Sequence, residues 1–483
     1  MSVRTWLRMS RIRRGLAASA VILAAGGLIL ARTPAGAAPL LRPIAGASIA
    51  AVATGENSAK FSAQGAHGTF ALSRTHVLAG SERRFFAELD LTAEAAARAQ
   101  ERAPLSIAVV LDTSGSMDGE KIEQAKQAVV RLIRDLRDDD EIAFVRYSTD
   151  SELVQPLARA GAVRNQLISK VQGLVAAGGT NIAPALRQGL RALAEAGKGR
   201  VLRVVLASDG LDSTRAASEA IARESAGRGV TVSSMGIGLD FDASYMASVA
   251  RSGRGNFAFV NDGPALTSFL HRELEETAST TIESATARIK LPAGVRFVRA
   301  VGAEAKALDG GEIELSLGSL FANDERRVVI ELAANVDAGE ARAFEGRVSW
   351  NNVSGDGAQA RFGDVAIRGS ADESVVALGR DGAVLARAMS TTASLRQIEA
   401  TEAYAEGDVQ RAQGLIDQNI ADLRAAEVAA PAAAATALQA QARSYDETKR
   451  TFASAAPKSA AGSIAAKKAV EKDTSNMGRQ AAF

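Results

Sequence analysis

Between residues 104 and 275, short β-branched runs alternate with amphipathic helical stretches, and few folds accommodate that alternation. Parallel strands need long crossover connections, which are usually helices. The pattern therefore predicts an α/β fold with a doubly wound, mostly parallel sheet. The strand candidates are 106–111, 141–148, 202–208, 230–236 and 256–260. One helix is plain after the first of them: Ile122, Ala125, Val129, Leu132, Ile133 and Leu136 share a face, and Asp138-Asp139-Asp140 ends it as a solvated turn. A last helix is expected over 264–277.

The flanks read differently. Residues 57–103 hold two strand-like runs, 68–73 and 84–92. Residues 279–371 alternate apolar and polar positions at 286–291, 312–317, 327–332 and 346–350, with Asp309-Gly310-Gly311 and Ser354-Gly355-Asp356-Gly357 as turns. This predicts a β-sandwich-like domain. Neither flank has a complete core, and unpaired edges are a liability. The strands of 57–103 are therefore expected to join the later β-domain, with 104–278 inserted between them. Residues 372–450 read as helical. The stretch 397–418 turns at Gly407-Asp408 and resembles one tetratricopeptide-type hairpin, but no second copy follows, which favours a helical cap or docking module over a repeat array. Residues 451–483 have few large apolar side chains and are expected to form a disordered tail.

The start of the chain reads as an export signal, residues 1–38, followed by a linker, 39–56. Arg4, Arg8, Arg11, Arg13 and Arg14 precede an uncharged, largely apolar run of 17 residues, 15–31, and Ala35-x-Ala37 offers small residues for a signal peptidase. The run is slightly short for a membrane span, which needs about 20 residues. A periplasmic or secreted protein is expected, with a membrane anchor as the alternative if the segment stays uncleaved.

Charge and cysteine content narrow the chemistry. The formal charge is +2, but six arginines and no acid lie within residues 1–37, so the remainder carries −4. A mildly acidic body argues against nucleic acid as a partner. The absence of cysteine excludes disulfides, thiolate catalysis and cysteine-ligated zinc or iron–sulfur sites. Three scattered histidines, His67, His76 and His271, do not make a metal cluster; the first two read as ordinary surface or core residues, and His271 as a packed position on the last helix.

The informative residues follow the first strand: Asp112-Thr113-Ser114-Gly115-Ser116. In an open α/β sheet, ligands bind beyond the carboxyl ends of strands. One carboxylate and two hydroxyls within five residues are hard oxygen donors, suited to Mg²⁺, Mn²⁺ or Ca²⁺. Two further segments add donors. Gly178-Gly179-Thr180-Asn181 places a hydroxyl in a loop between helices. Val204-Val205-Leu206-Ala207-Ser208-Asp209-Gly210 sets a second carboxylate at a strand end. Thr180 lies 68 residues and Asp209 97 residues beyond Asp112, far enough for three loops to converge at one sheet edge.

With these residues together, 104–278 resembles a von Willebrand factor type A domain. The family's metal-ion-dependent adhesion site uses Asp-x-Ser-x-Ser, a distal Thr and a distal Asp, matched here by Asp112, Ser114, Ser116, Thr180 and Asp209. The resemblance implies a bound Mg²⁺ (or Mn²⁺ or Ca²⁺) with a coordination position left for a partner protein's Asp or Glu. The flanks more loosely resemble secreted bacterial relatives of inter-α-trypsin-inhibitor heavy chains and chloride-channel accessory proteins, through Gly318-Ser319-Leu320 and Asn323-Asp324-Glu325-Arg326-Arg327-Val328-Val329-Ile330. The expected function is a non-enzymatic cell-envelope binding protein. Two rivals are a metal-dependent hydrolase or phosphatase and a scaffold with a vestigial metal site. A haloacid-dehalogenase-type phosphatase wants a second Asp where Ser114 stands, and no Gly-rich phosphate loop ending in Lys-Ser/Thr follows a strand.

Overall fold

The computed structural model describes residues 57–95, 103–197, 199–209, 212–353 and 356–478. The expected export signal and linker lie outside the described residues. The described chain opens with strands β1 (Ser58–Ala63), β2 (Ala66–Leu72), β3 (His76–Leu78) and β4 (Arg83–Ala93).

The α/β unit follows. It comprises β5 (Leu105–Asp112), α1 (Glu120–Asp135), β6 (Glu141–Tyr147), β7 (Ser151–Arg159), α2 (Ala160–Gln172), α3 (Ile182–Leu193) and β8 (Val201–Ser208), then α4 (Arg215–Gly227), β9 (Val230–Ile237), α5 (Ala243–Ser252), β10 (Arg254–Val260) and α6 (Gly263–Ala278). The strands order as β10-β9-β8-β5-β6-β7, and every pairing is parallel except β6 with β7. Every residue of β5 is buried, because alternate side chains enter opposite cores. Ile107, Val109 and Leu111 meet Ile133 of α1 and Phe269 of α6 on one face, while Ala108 and Val110 meet Leu186 of α3 on the other. The edge strand β7 carries Pro156, which lacks an N–H and fits at an edge.

The connection from β5 leads to β6 on one side, whereas β8 pairs on the other side of β5. Chain direction thus diverges between β5 and β8, which opens a crevice at their carboxyl ends. This topology is what positions the site.

Seven more strands follow: β11 (Thr280–Lys290), β12 (Val295–Val301), β13 (Glu304–Leu308), β14 (Glu312–Phe321), β15 (Glu325–Ala334), β16 (Ala341–Asn352) and β17 (Gly357–Ser370). They form two sheets with the opening strands, ordered β1-β2-β4-β15-β12 and β13-β14-β11-β16-β17-β3. β4 pairs with β15 from Arg83↔Ala334 to Thr92↔Glu325, so strands from both sides of the α/β unit share one sheet. The two sheets enclose a single core, in which Phe70 stacks on Phe362 with centroids 4.6 Å apart.

The helical region comprises α7 (Glu373–Leu378), α8 (Gly382–Ala405), α9 (Val409–Glu427), α10 (Ala432–Ser454) and α11 (Ala460–Gly478). Asp381 caps α8, and Asp408 caps α9 after a turn at Gly407. Arg387 of α8 forks onto Glu88 of β4 at 2.7–2.9 Å, fastening the helices to the β-domain.

The tail expectation needs correction. Residues 460–478 form α11, which returns to the α/β unit. Val470 is buried in the core beside α5, and Ala466 packs in the helical core. Alanine is the strongest helix former and buries at little entropic cost, so a segment poor in large apolar residues can still dock. His271 likewise differs from expectation: half of its side chain is exposed, and it pairs with Glu275 on the helix surface.

Docking α11 buries Asp473, whose Oδ1 accepts from Tyr445 Oη at 2.6 Å. Burial pushes its carboxyl up from 3.8 to about 7. The fold therefore holds this proton more tightly than the unfolded chain does. The stability it lends is complete below about pH 4 and is lost as pH rises through 7, at about 1.4 kcal/mol per pH unit in that window. Asp473→Asn is expected to raise the melting temperature at pH 8 and to leave it nearly unchanged at pH 4. Thermal unfolding of both proteins at the two pH values checks this.

Candidate metal centre

Asp112 ends β5 and pairs in register with Tyr147 at the end of β6. The chain then turns through a short 3-10 segment, Gly115–Met117, into α1. Asp112 is fully buried, and both its oxygens are engaged: Oδ1 accepts from the Ser114 N–H at 2.8 Å and Oδ2 from Ser208 Oγ at 2.7 Å. Ser114 Oγ lies 3.0 Å from Ser116 Oγ, and Ser116 Oγ donates to Asp209 Oδ1 at 2.7 Å. Asp209, just past β8, is also fully buried. Hydrogen bonds thus join Asp112, Ser114, Ser116 and Asp209 into one chain across the crevice between β5 and β8.

Thr180 sits half-buried on the loop before α3. That loop is stitched to the others through its backbone. Gly115 N donates to Gly178 O at 2.9 Å, Ala177 N to Thr113 O at 2.8 Å, and Gly179 N to Thr149 Oγ1 at 2.9 Å. Gly178 has φ +85°, and a Cβ there would lie 3.1 Å from Thr149 Oγ1, so glycine suits this close approach. The three loops are joined by these bonds, with Thr180 held by its loop and not by a direct bond to the other four.

Beneath the loops, Tyr147 is fully buried. Its hydroxyl donates to Ala207 O at 3.2 Å, and burial together with the nearby Asp112 pushes its pKa well above 10. Burial also raises the Asp112 carboxyl, and the neighbouring Asp209 charge adds to the rise, while hydrogen bonds from Ser114 and Ser208 oppose it. Two carboxylates held together away from water favour a cation among them.

Sequence reasoning missed four contributors. Ser208 orients Asp112. Asp212 accepts from the backbone N–H groups of Ile182 and Thr214 and so fixes the start of α3. Lys121, on the first turn of α1, donates to Asp209 Oδ2 at 2.6 Å, to Asp240 Oδ2 at 3.0 Å and to Ser116 O at 3.2 Å. Burial disfavours its ammonium, but Asp209 and Asp240 outweigh that and hold its pKa above the ordinary value. The adjacency of Ser208 to Asp209 was a usable signal. Nothing local marks Lys121 or Asp240, which meet Asp209 only through the folded sheet edge.

The donors fit a hard divalent ion: two buried carboxylates, three hydroxyls, and no nitrogen or sulfur ligand. Among the described residues no group of three or more His, Cys, Asp or Glu side chains comes together, here or elsewhere, so two carboxylates and neutral hydroxyls are all this edge offers. His67 lies on β2, His76 on β3 and His271 on α6, none of them at this sheet edge.

Comparison with known proteins agrees with this fold. The family model described as von Willebrand factor type A domain matches residues 106–272. The chain is 27% identical over 238 residues to YfbK of Escherichia coli K12, covering 47% of this chain and 41% of that protein. It is 28% identical over 248 residues to sll0103 of Synechocystis, covering 48% and 57%. The chain thus spans about half the length of these curated relatives. Mouse inter-alpha-trypsin inhibitor heavy chain H2 is 30% identical over 168 residues, 32% of this chain and 17% of that one. A von Willebrand factor type A structure from Catenulispora acidiphila superposes with a TM-score of 0.64 at 18% identity, covering 88% of this chain and 98% of that chain. The likeness therefore extends in fold well beyond the α/β unit. By sequence match and by architecture, this chain carries a von Willebrand factor type A domain, set into a β-sandwich and followed by a helical region.

Proposed function

We propose that this chain is an exported cell-envelope protein that captures a protein partner through a divalent cation held by Asp112, Ser114, Ser116, Thr180 and Asp209. The observation that carries the reading is the hydrogen-bonded chain from Asp112 through Ser114 and Ser116 to Asp209, with the Thr180 loop pinned beside it. Mg²⁺ or Mn²⁺ bound there supplies a partly unsatisfied positive charge that a partner's Asp or Glu completes. Ser208 and the Ser114 N–H hold Asp112 in place, and Ser116 holds Asp209. The proposed role is binding: the Ser114 and Ser116 hydroxyls are hydrogen-bonded to each other and to Asp209. Export rests on the basic and apolar start of the chain. No helix among the described residues is long and apolar enough to cross a membrane.

Capture from a periplasmic or culture extract tests the reading. The full-length mature protein is expected to retain a partner in Mg²⁺ or Mn²⁺, to release it in chelator, and to lose it on Asp112→Ala. Retention of the same partner by that variant in chelator would refute the metal-bridged mode.

A further inference from the structure

The ammonium of Lys121 has three donors, and the structure supplies three acceptors: Asp209 Oδ2 at 2.6 Å, Asp240 Oδ2 at 3.0 Å and Ser116 O at 3.2 Å. All three belong to loops at the metal site. Asp209 has no exposure of its own, so with Oδ1 accepting from Ser116 and Oδ2 from Lys121, both its oxygens are served from within the protein. The lysine reaches this position across Gly238, whose φ is +74°; a Cβ at that residue would lie 3.0 Å from Lys121 Cε. Asp240, by contrast, is largely exposed, with 71% of its side chain accessible. The ammonium therefore bridges a buried carboxylate of the site and an exposed one at its rim. It also lies on the first turn of α1, where the helix dipole disfavours a cation, so local helix electrostatics do not explain it.

We propose that Lys121 is the built-in counter-cation of this site: it neutralises Asp209 when no metal is bound and opposes entry of the divalent ion, so that it sets metal affinity. The inference rests on the metal reading above and goes beyond it, because the adhesion-site pattern of five residues contains no lysine. A buried carboxylate without a partner is costly, and the tethered ammonium removes that cost in the metal-free protein. A divalent ion arriving at Asp209 must share the carboxylate with an ammonium of like sign or displace it toward Asp240. Either course weakens binding relative to a site without the lysine. Asp240, exposed and already in contact, is the acceptor to which the ammonium can retreat. The arrangement makes occupancy responsive to metal concentration, where an uncompensated pair of buried carboxylates would hold its ion tightly.

The test uses the mature chain stripped of metal, with Lys121→Met and Lys121→Arg beside wild type. Titration calorimetry with Mg²⁺ and Mn²⁺ is expected to show at least about tenfold tighter binding by Lys121→Met, and wild-type or weaker binding by Lys121→Arg, which keeps the charge. In chelator, Lys121→Met is expected to melt below wild type, and saturating Mn²⁺ is expected to remove that difference. Equal or weaker metal binding by Lys121→Met, with both proteins folded, would overturn the counter-cation role and leave the metal site standing. A purely structural lysine gives that result: a lower melting temperature with unchanged affinity. Absence of binding by wild type and Lys121→Met alike, in folded protein, would overturn the metal reading and this inference with it.

Discussion

Asp112→Ala is expected to weaken divalent-metal binding by more than about 100-fold and to leave the chain folded. Loss of an outer partner of a metal ligand already costs about 10–100-fold, and Asp112 supplies charge as well as an oxygen. It lies at the centre of the crevice, bonded by Ser114 and Ser208 and adjoining Asp209. Survival of the fold follows from the same geometry. Removing one of two neighbouring buried carboxylates relieves their repulsion, which offsets the hydrogen bonds that Ser208 and Ser114 lose. The net change in stability is expected to stay within about 2 kcal/mol. Asp112→Asn keeps an acceptor for Ser114 and removes the charge, so it is expected to lose metal nearly as fully with a smaller change in stability. Thr180→Ala removes one neutral oxygen from a loop anchored by its backbone, and its effect on affinity is expected to be much smaller. Calorimetric titration of the three variants, with circular dichroism to show the fold, checks the ranking.

The second large effect concerns stability alone. Glu273 of α6 is fully buried and pairs with Arg203 of β8, itself 3% exposed. Ser233 Oγ donates to Glu273 at 2.6 Å, and Asn256 donates to its other oxygen. Burial alone would raise the Glu273 carboxyl, but Arg203 and these hydrogen bonds outweigh it and hold the pKa below the ordinary value. Glu273→Ala leaves a guanidinium buried without its counter-ion and is expected to cost about 3–5 kcal/mol. Arg203 lies toward the start of β8 and Asp209 just beyond its end, so metal affinity in the folded variant is expected to be unchanged. Denaturant unfolding with metal titration of the same sample checks both halves. A large loss of affinity together with stability would mean that the sheet edge is not independent of the base of the sheet.

The parts of the fold legible in the sequence are those whose signal is local. β5 and β8 are buried on both faces and contain the apolar runs Ile107–Leu111 and Val204–Ala207. Asp112, Ser114 and Ser116 fall within five residues on one turn, so their grouping needs no tertiary knowledge. β7 was not legible: it is an edge strand with mixed burial and a proline, so neither alternation nor a solid apolar run marks it. α11 was illegible for a different reason. Its contacts are made by alanines and a few residues such as Ile464 and Val470, whose burial depends on surfaces formed far earlier in the chain. The roles of Lys121 and Asp240 share that cause. Lys121 and Asp209 stand 88 residues apart, and their pairing exists only because β5 and β8 are neighbours in the sheet.

The most direct measurement is titration of Mn²⁺ or Mg²⁺ into the metal-stripped, folded chain. One saturable site per chain is expected, reversed by chelator and lost in Asp112→Ala. No detectable binding by the wild-type protein, or equal binding by the variant, would contradict the metal reading.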